Sequence, residues 1–323
     1  MKTKDLIRKY GWEIMPYLSN LGVKVLADSN VWFVDNEHSD ATNADDGIHG
    51  HSFEVPLSTL NYAVSLCTAA QGDVILVSPN HTETIADTGT ASGATTDELV
   101  IDKGQIHIIG LGENTARPTF TFNGATDACC VITAAPNVTI ENLVFVGELE
   151  DLANLMTVDG TSDGLTLRNC EFRDGGTAIL ETIHQVNIAT LCDRVTIDSC
   201  RFFTFAAASS TLSNIEVATA VDMLTIKNCI FKGDVNTDGM IDGSGGTGTE
   251  WYIADNVFDN LDAATGKCIV IAAGTTGFIV RNIMHAGNDG TSPLTTTAAV
   301  CAQNYYSNAE AASAAILTPA TDS

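Results

Sequence analysis

Apolar and polar residues alternate with period two in short runs, and one such run recurs down the second half of the chain. It reads Val138-Thr-Ile-Glu-Asn-Leu-Val-Phe145, Leu165-Thr-Leu-Arg-Asn-Cys-Glu-Phe172 and Val195-Thr-Ile-Asp-Ser-Cys-Arg-Phe202. It continues as Leu224-Thr-Ile-Lys-Asn-Cys-Ile-Phe231, Trp251-Tyr-Ile-Ala-Asp-Asn-Val-Phe258 and Phe278-Ile-Val-Arg-Asn-Ile-Met-His285. The starts lie 27, 30, 29, 27 and 27 residues apart, and a degenerate seventh copy begins at Val300. A repeat of this length marks a solenoid, propeller or array, because one copy cannot bury its own apolar side.

Apolar first and third positions with polar second and fourth positions predict a strand with one buried face. The fifth position holds Asn142, Asn169, Ser199, Asn228, Asp255, Asn282 and Asn304, which are turn formers that tolerate unusual dihedrals. A second short strand follows and carries Phe145, Phe172, Phe202, Phe231 and Phe258 at position eight. A third strand is visible at Leu155–Val158, Ile215–Val217, Met240–Ile241 and Cys268–Ile271. Strand, corner, strand, loop and third strand make one coil of a parallel β-helix. The fold class expected is therefore all-β, a single-stranded parallel β-helix solenoid.

Coils stacked ~4.8 Å apart turn equivalent residues into ladders. The corner Asn column is expected to bond from coil to coil through its amides, as stacked Asn does in cross-β assemblies. The Phe column is expected to stack inside. Glu141, Arg168, Asp198 and Lys227 occupy position four, so charges alternate in sign down the outer face, and Glu171 falls beside Arg201. Cys170, Cys200 and Cys229 share position six of consecutive copies. With nine cysteines in all, this column reads as small buried thiols rather than a disulfide framework. Reduced thiols suit synthesis in a reducing cytoplasm.

Outside the repeat, residues 1–20 read as an amphipathic helix within a segment, 1–30, suited to capping or docking. The β-helix spans 31–308, and an Ala-rich tail occupies 309–323. Val31–Val34 reads as a strand, Asp35 to Ser52 as a polar loop, and Pro56-Leu-Ser-Thr-Leu60 as the start of a helix with Leu57, Leu60, Val64 and Cys67 on one side. No stretch reaches the ~20 apolar residues of a membrane helix. The basic start of the chain has no apolar core after it, so no signal peptide is expected. The net charge of −25 disfavours nucleic acid and anionic membranes as partners.

The order Trp32-Phe-Val-Asp35, a Gly/Asp/Asn loop to Gly47, Pro56-Leu-Ser-Thr-Leu60, a short helix, Gly72-Asp-Val-Ile-Leu-Val77 and Asn80-His-Thr-Glu-Thr-Ile85 resembles the opening segment of pectin-lyase-like right-handed parallel β-helix proteins. The repeat phrase resembles their coils, and the resemblance covers roughly residues 31 to 307. That superfamily includes pectin-degrading enzymes, other polysaccharide lyases and hydrolases, and virion proteins of tailed phages, often trimeric. The fold licenses no single activity.

Asn236-Thr-Asp-Gly239 is similar to the first motif of the polygalacturonase-type hydrolases, which makes Asp238 a catalytic candidate. The paired Asp-Asp, Gly-His-Gly and Arg-x-Lys that such a site needs downstream do not follow it. Asp234, Asn236 and Asp238 also match the alternating oxygen ligands of a calcium loop, although Gly245 stands where a bidentate Glu belongs. Asp45, Asp46, His49 and His51 form a looser metal-type cluster, and the Thr139, Thr166, Thr196, Thr225 column offers a face to ice or a glycan. Lyase chemistry needs a basic residue beside a bound cation, and the eight Lys and seven Arg show no such grouping. The expectation is a non-catalytic structural protein of a phage particle, at its surface or decorating its capsid, assembled as a homotrimer and docked to other virion proteins through residues 1–30. It would be made in the host cytoplasm. The alternative is a polysaccharide-degrading enzyme or glycan-binding adhesin, with Trp251, Tyr252, Tyr305 and Tyr306 as sugar platforms.

Overall fold

The computed structural model describes residues 29–85, 98–125, 127, 129–176, 180–205, 211–236, 238–262, 266–286, 293–308 and 318–319. The segment expected to dock, 1–30, lies outside them except for Ser29 and Asn30, and the tail, 309–323, except for Thr318 and Pro319.

The described chain winds as a right-handed parallel β-helix of three sheets. A first sheet of ten strands runs from Val31–Val34 to Val300–Ala302. A second runs from Thr82–Ile85 to Tyr305–Asn308, and a third, of eight strands, from Glu98–Ile101 to Leu294–Thr295. Each winding visits the sheets in that order, and every pairing is parallel but one: Thr318–Pro319 closes the free edge of the second sheet antiparallel to Tyr305 and Tyr306. Helix α1, Leu60–Leu66, covers the N-terminal end, with the Thr59 hydroxyl accepting from the Tyr62 amide at 3.3 Å. It starts later than the sequence suggests. Leu57 is drawn into an extended bridge beside Val34, where its amide donates to the Phe33 carbonyl at 2.9 Å.

Inside, the third-position residues Ile140, Leu167, Ile197, Ile226, Ile253 and Ile279 form one fully buried column. Phe120 extends the Phe column by one coil. From Phe145 to Phe258 the ring centroids are 5.0, 5.1, 4.7 and 4.6 Å apart and the rings are within 8° of parallel. The backbone repeat of a parallel sheet sets that spacing, so the rings stack because the strands do. Cys170, Cys200 and Cys229 are buried free thiols at one inward position.

Corner residues Asn142, Asn169, Ser199, Asn228 and Asp255 all adopt the left-handed conformation, with φ between 51° and 62°. Asn and Asp tolerate it best after glycine. The last two copies correct the sequence register. There the left-handed corner is held by Arg281 and Gln303, while Asn282 and Asn304 sit one place further on, fully buried below Asn256. The shift begins at Gly277, which pairs with Trp251 at position one. A side chain at Gly277 would strike the Trp251 backbone. Phe278 therefore stands at position two and points outward, so its apolarity misleads a period-two reading.

The outer face of the first sheet changes chemistry along its length. At the N-terminal end Val31, Phe33, Val74, Leu76 and Ile109 face outward and are covered by Phe53 and Leu111. In the middle the same columns hold Thr139, Thr166, Thr196 and Thr225, with Glu141, Arg168, Asp198 and Lys227 beside them. Arg168 pairs with Glu141 at 3.6 Å and Lys227 with Asp198 at 3.4 Å. Over the last coils the columns turn apolar again, at Tyr252, Phe278 and Val300 and at Ala254, Val280 and Ala302.

Candidate functional site

Two constellations gather chemistry-bearing residues. The first is a cleft above the corner between the first and second sheets, lined by Gly112, Asn114, Arg117, Asn142, Asn169 and Arg201 among others. An adjoining cleft shares Asn114, Arg117 and Arg201 and holds Glu171, nearly buried and clasped by Arg117, with Arg173 at 3.5 Å. Arg117 reaches this position because the 3₁₀ turn Asn114–Ala116 ends just before it, and its guanidinium also donates to the Asn169 carbonyl at 3.3 Å. Strand register sets Arg201 directly beside Glu171, but the ion pairs of Glu171 go to Arg117 and Arg173. Arg117 and Arg173 pair with this carboxylate and Arg201 lies beside it in register, so three of the seven arginines gather here in a chain of net charge −25, a local exception suited to holding an anionic group.

The second lies on the outer face of the third sheet. Glu216 and Asp242 are register partners on adjacent coils. Burial, reinforced by the Asp242 charge, pushes the Glu216 carboxyl up to about 8, so it holds a proton at neutral pH. Asp242 accepts from the Ser244 amide at 2.8 Å. One coil back, the His184 imidazole meets the Ser213 hydroxyl at 2.8 Å, and burial lowers its basicity. A carboxyl held protonated against a second carboxyl is an arrangement that acid–base chemistry uses. The sequence carried this signal as Ile215-Glu216-Val217 and Ile241-Asp242-Gly243, alike in pattern on consecutive third strands. Without the register the two acids are 26 residues apart and look unrelated.

The sequence-derived candidates are distributed differently. The charge of Asp238 is felt at Glu216 and His184, whereas Asp234 feels Asp262 and Glu181 and has its carboxyl raised, chiefly by burial. The Asn236 backbone N–H donates to the Thr211 carbonyl at 2.9 Å. Ile241–Gly243 is a strand, which draws Asp242 away from a calcium loop and into the pair with Glu216. Among the described residues no three His, Cys, Asp or Glu side chains converge to hold a metal ion. Asp46 and His49 bond at 2.6 Å, and His51 stacks on Trp32 with centroids 5.3 Å apart.

The corner Asn column is only partly a ladder. Asn169 donates to Asn142 at 2.9 Å, but Ser199 interrupts the series and Asn228 donates instead to Asp198 at 3.0 Å. The continuous amide ladder is the inner one. Asn256 donates to Asn282, and Asn282 to Asn304, each at 3.0 Å. Trp251 is no sugar platform, being buried with its indole N–H on the Val221 carbonyl at 2.6 Å. The Tyr252 hydroxyl accepts from Arg281 at 2.9 Å.

No family model matches the chain, and no curated protein matches it by sequence. Among solved structures it is similar to the pectate lyase Pel9A, with a TM-score of 0.56 and 14% identity over 85% of this chain and 70% of that one. It is also similar to the pectate lyase Bsp165PelA from Bacillus sp. N165 in complex with trigalacturonate, with a TM-score of 0.53 and 13% identity over 90% and 88% of the two chains. The chain has the fold of the pectate lyases. At this identity the likeness carries the β-helix and no activity. A weaker likeness, with a TM-score of 0.37 and 11% identity over 94% and 64%, links it to ORF18 of Geobacillus virus E2.

Proposed function

We propose that this chain is a non-catalytic structural protein of a phage particle, a surface or capsid-decoration component. The observation that carries the reading is the outer face of the coil stack. Its apolar N-terminal end is covered by Phe53 and Leu111, its middle is polar and internally charge-paired, and at its apolar C-terminal end Phe278 and Val300 are more than half exposed. Such a surface serves lateral assembly on protein. The resemblance to a superfamily that includes tailed-phage virion proteins supplies the setting, and residues 1–30 are the docking segment in this reading. Mass spectrometry of purified particles tests it, with the chain expected at a stoichiometric copy number. Its absence from particles would refute the role.

The Glu216–Asp242 pair favours one second reading, a glycan-cleaving enzyme. Incubation with acidic and neutral glycans, assayed for new reducing or unsaturated ends, decides between the two. Turnover that disappears in Glu216→Gln or Asp238→Asn would establish the enzyme and overturn the structural role.

A further inference from the structure

Register sets Thr119, Val144, Glu171 and Arg201 in one column on consecutive coils of the second sheet. Arg117 enters two coils before Glu171 and Arg201 stands one coil after it, so the two arginines flank that carboxylate. Their situations differ. Arg117 is fixed: its Nε–H donates to the Asn114 carbonyl at 3.4 Å, and its terminal nitrogens donate to the Asn169 carbonyl at 3.3 Å and to Glu171. Its side chain is only 11% exposed, and the other N–H groups of its fork stay available. The Arg201 guanidinium is exposed and meets no acceptor among the described residues, because both Glu171 oxygens are taken by Arg117 and Arg173. The Asn114 side-chain amide is likewise unengaged among the described residues. Asn114, Arg117 and Arg201 line both neighbouring clefts, of about 410 and 330 Å³, and so border one shared space. Three arginines there outnumber Glu171 and Glu113, while Glu141 is matched by Arg168 at 3.6 Å.

We propose that this space binds a sulfate or phosphate ester. In a chain with 40 Asp and Glu against 15 Lys and Arg, a base left without an acid is the unusual outcome, and here it stands beside a second arginine already clamped in place. Preorganised charged donors of this kind are what an oxyanion needs. The donors come from three places: the 3₁₀ turn at Asn114, the clamped Arg117, and a strand three coils beyond Thr119 that carries Arg201. Such different origins suit a tetrahedral group with oxygens on every side. A planar carboxylate is served by one guanidinium fork lying in its own plane. The clefts are also of a size that takes a small molecule, so they admit the group that carries the anion as well as the anion itself. The site lies at the corner between the first and second sheets, whereas Glu216 and Asp242 lie on the third. It is therefore separate from that carboxyl pair and stands apart from the particle role.

The test is calorimetric titration of the full chain at neutral pH, with ionic strength held constant by chloride so that general screening does not change. The probes are galactose 6-sulfate, glucose 6-phosphate, inorganic sulfate, inorganic phosphate and acetate. At least one ester is expected to bind more tightly than its bare ion and than acetate, and the ester that does so names the source. Arg201→Gln should weaken that binding at least ~10-fold, the loss of a charge-assisted hydrogen bond. Asn114→Asp, which turns a donor into an anion, should weaken it as well and reads the same outcome if the first variant fails to fold by circular dichroism. Arg194→Gln, which breaks an exposed pair with Asp163 outside both clefts, should leave binding unchanged. Failure of both esters to bind overturns the proposal, as does binding that survives in folded Arg201→Gln or falls equally in Arg194→Gln. A bare ion that binds as tightly as its ester, or acetate that binds as tightly as either, overturns it too.

Discussion

Asn256 and Asn282, one coil apart and both fully buried, are joined twice: the Asn256 side-chain amide and its backbone N–H each donate to the Asn282 carbonyl oxygen at 3.0 Å. Asn282 in turn donates to the Ile253 carbonyl at 3.0 Å. Replacing Asn282 by Ala removes four hydrogen bonds inside the stack, two accepted from Asn256 and two donated to the Ile253 and Asn304 oxygens. The expected loss is about 3 kcal/mol or more, read as a lower urea midpoint. Asn169→Ala, which removes one amide bond at an exposed corner, should lose about 1 kcal/mol. Equal losses would contradict an interior ladder.

Phe202 lies between Phe172 at 5.1 Å and Phe231 at 4.7 Å and is fully buried. Phe202→Ala opens a cavity in the middle of the column and should destabilise the chain by about 3–5 kcal/mol. Phe202→Leu should lose clearly less, because it refills most of the volume. Thermal unfolding of the two variants beside the wild type checks the order.

Glu216 fixes a direction for the pH dependence. Its carboxyl is raised from 4.5 to about 8, so the folded chain binds this proton more tightly than the unfolded chain. The associated stability is complete below pH 4.5 and is lost as pH rises through 8. Asp174, raised by burial to about 6, acts in the same direction over a lower range. Glu216→Gln should match the wild type in mild acid and exceed it at pH 8 or above by about 1–2 kcal/mol after solvent screening. A wild type that gains stability from pH 5 to pH 8 would contradict this.

The nine cysteines are all free thiols, and eight of them are buried. Burial pushes Cys130 and Cys200 far above the ordinary thiol range, so little reactive thiolate forms. A thiol reagent at pH 8 should label half-exposed Cys301 first in the folded protein and all nine cysteines in denaturant. Rapid native labelling of Cys200 would show that the column is open to solvent.

The architecture was legible from the chain alone because a solenoid writes its geometry as a repeat. Period-two alternation named the strands. Asn142, Asn169 and Asn228 named the left-handed corner, and Phe145 to Phe258 named the stacked column, since each of these demands is local and recurs in every coil. What the sequence could not decide is how coils of unequal length align. The tight contact between Gly277 and the Trp251 backbone slid the last coils by one residue, turning Phe278 outward and Asn282 inward. The same long-range alignment brought Glu216 against Asp242, drew Arg117 over Glu171, left Phe278 and Val300 exposed, and set Phe53 and Leu111 over the outward apolar residues of the first coils. Local pattern fixes which face of a strand is apolar. Only contacts between windings fix which side chains become neighbours, because those contacts join residues dozens of positions apart whose separation varies from coil to coil.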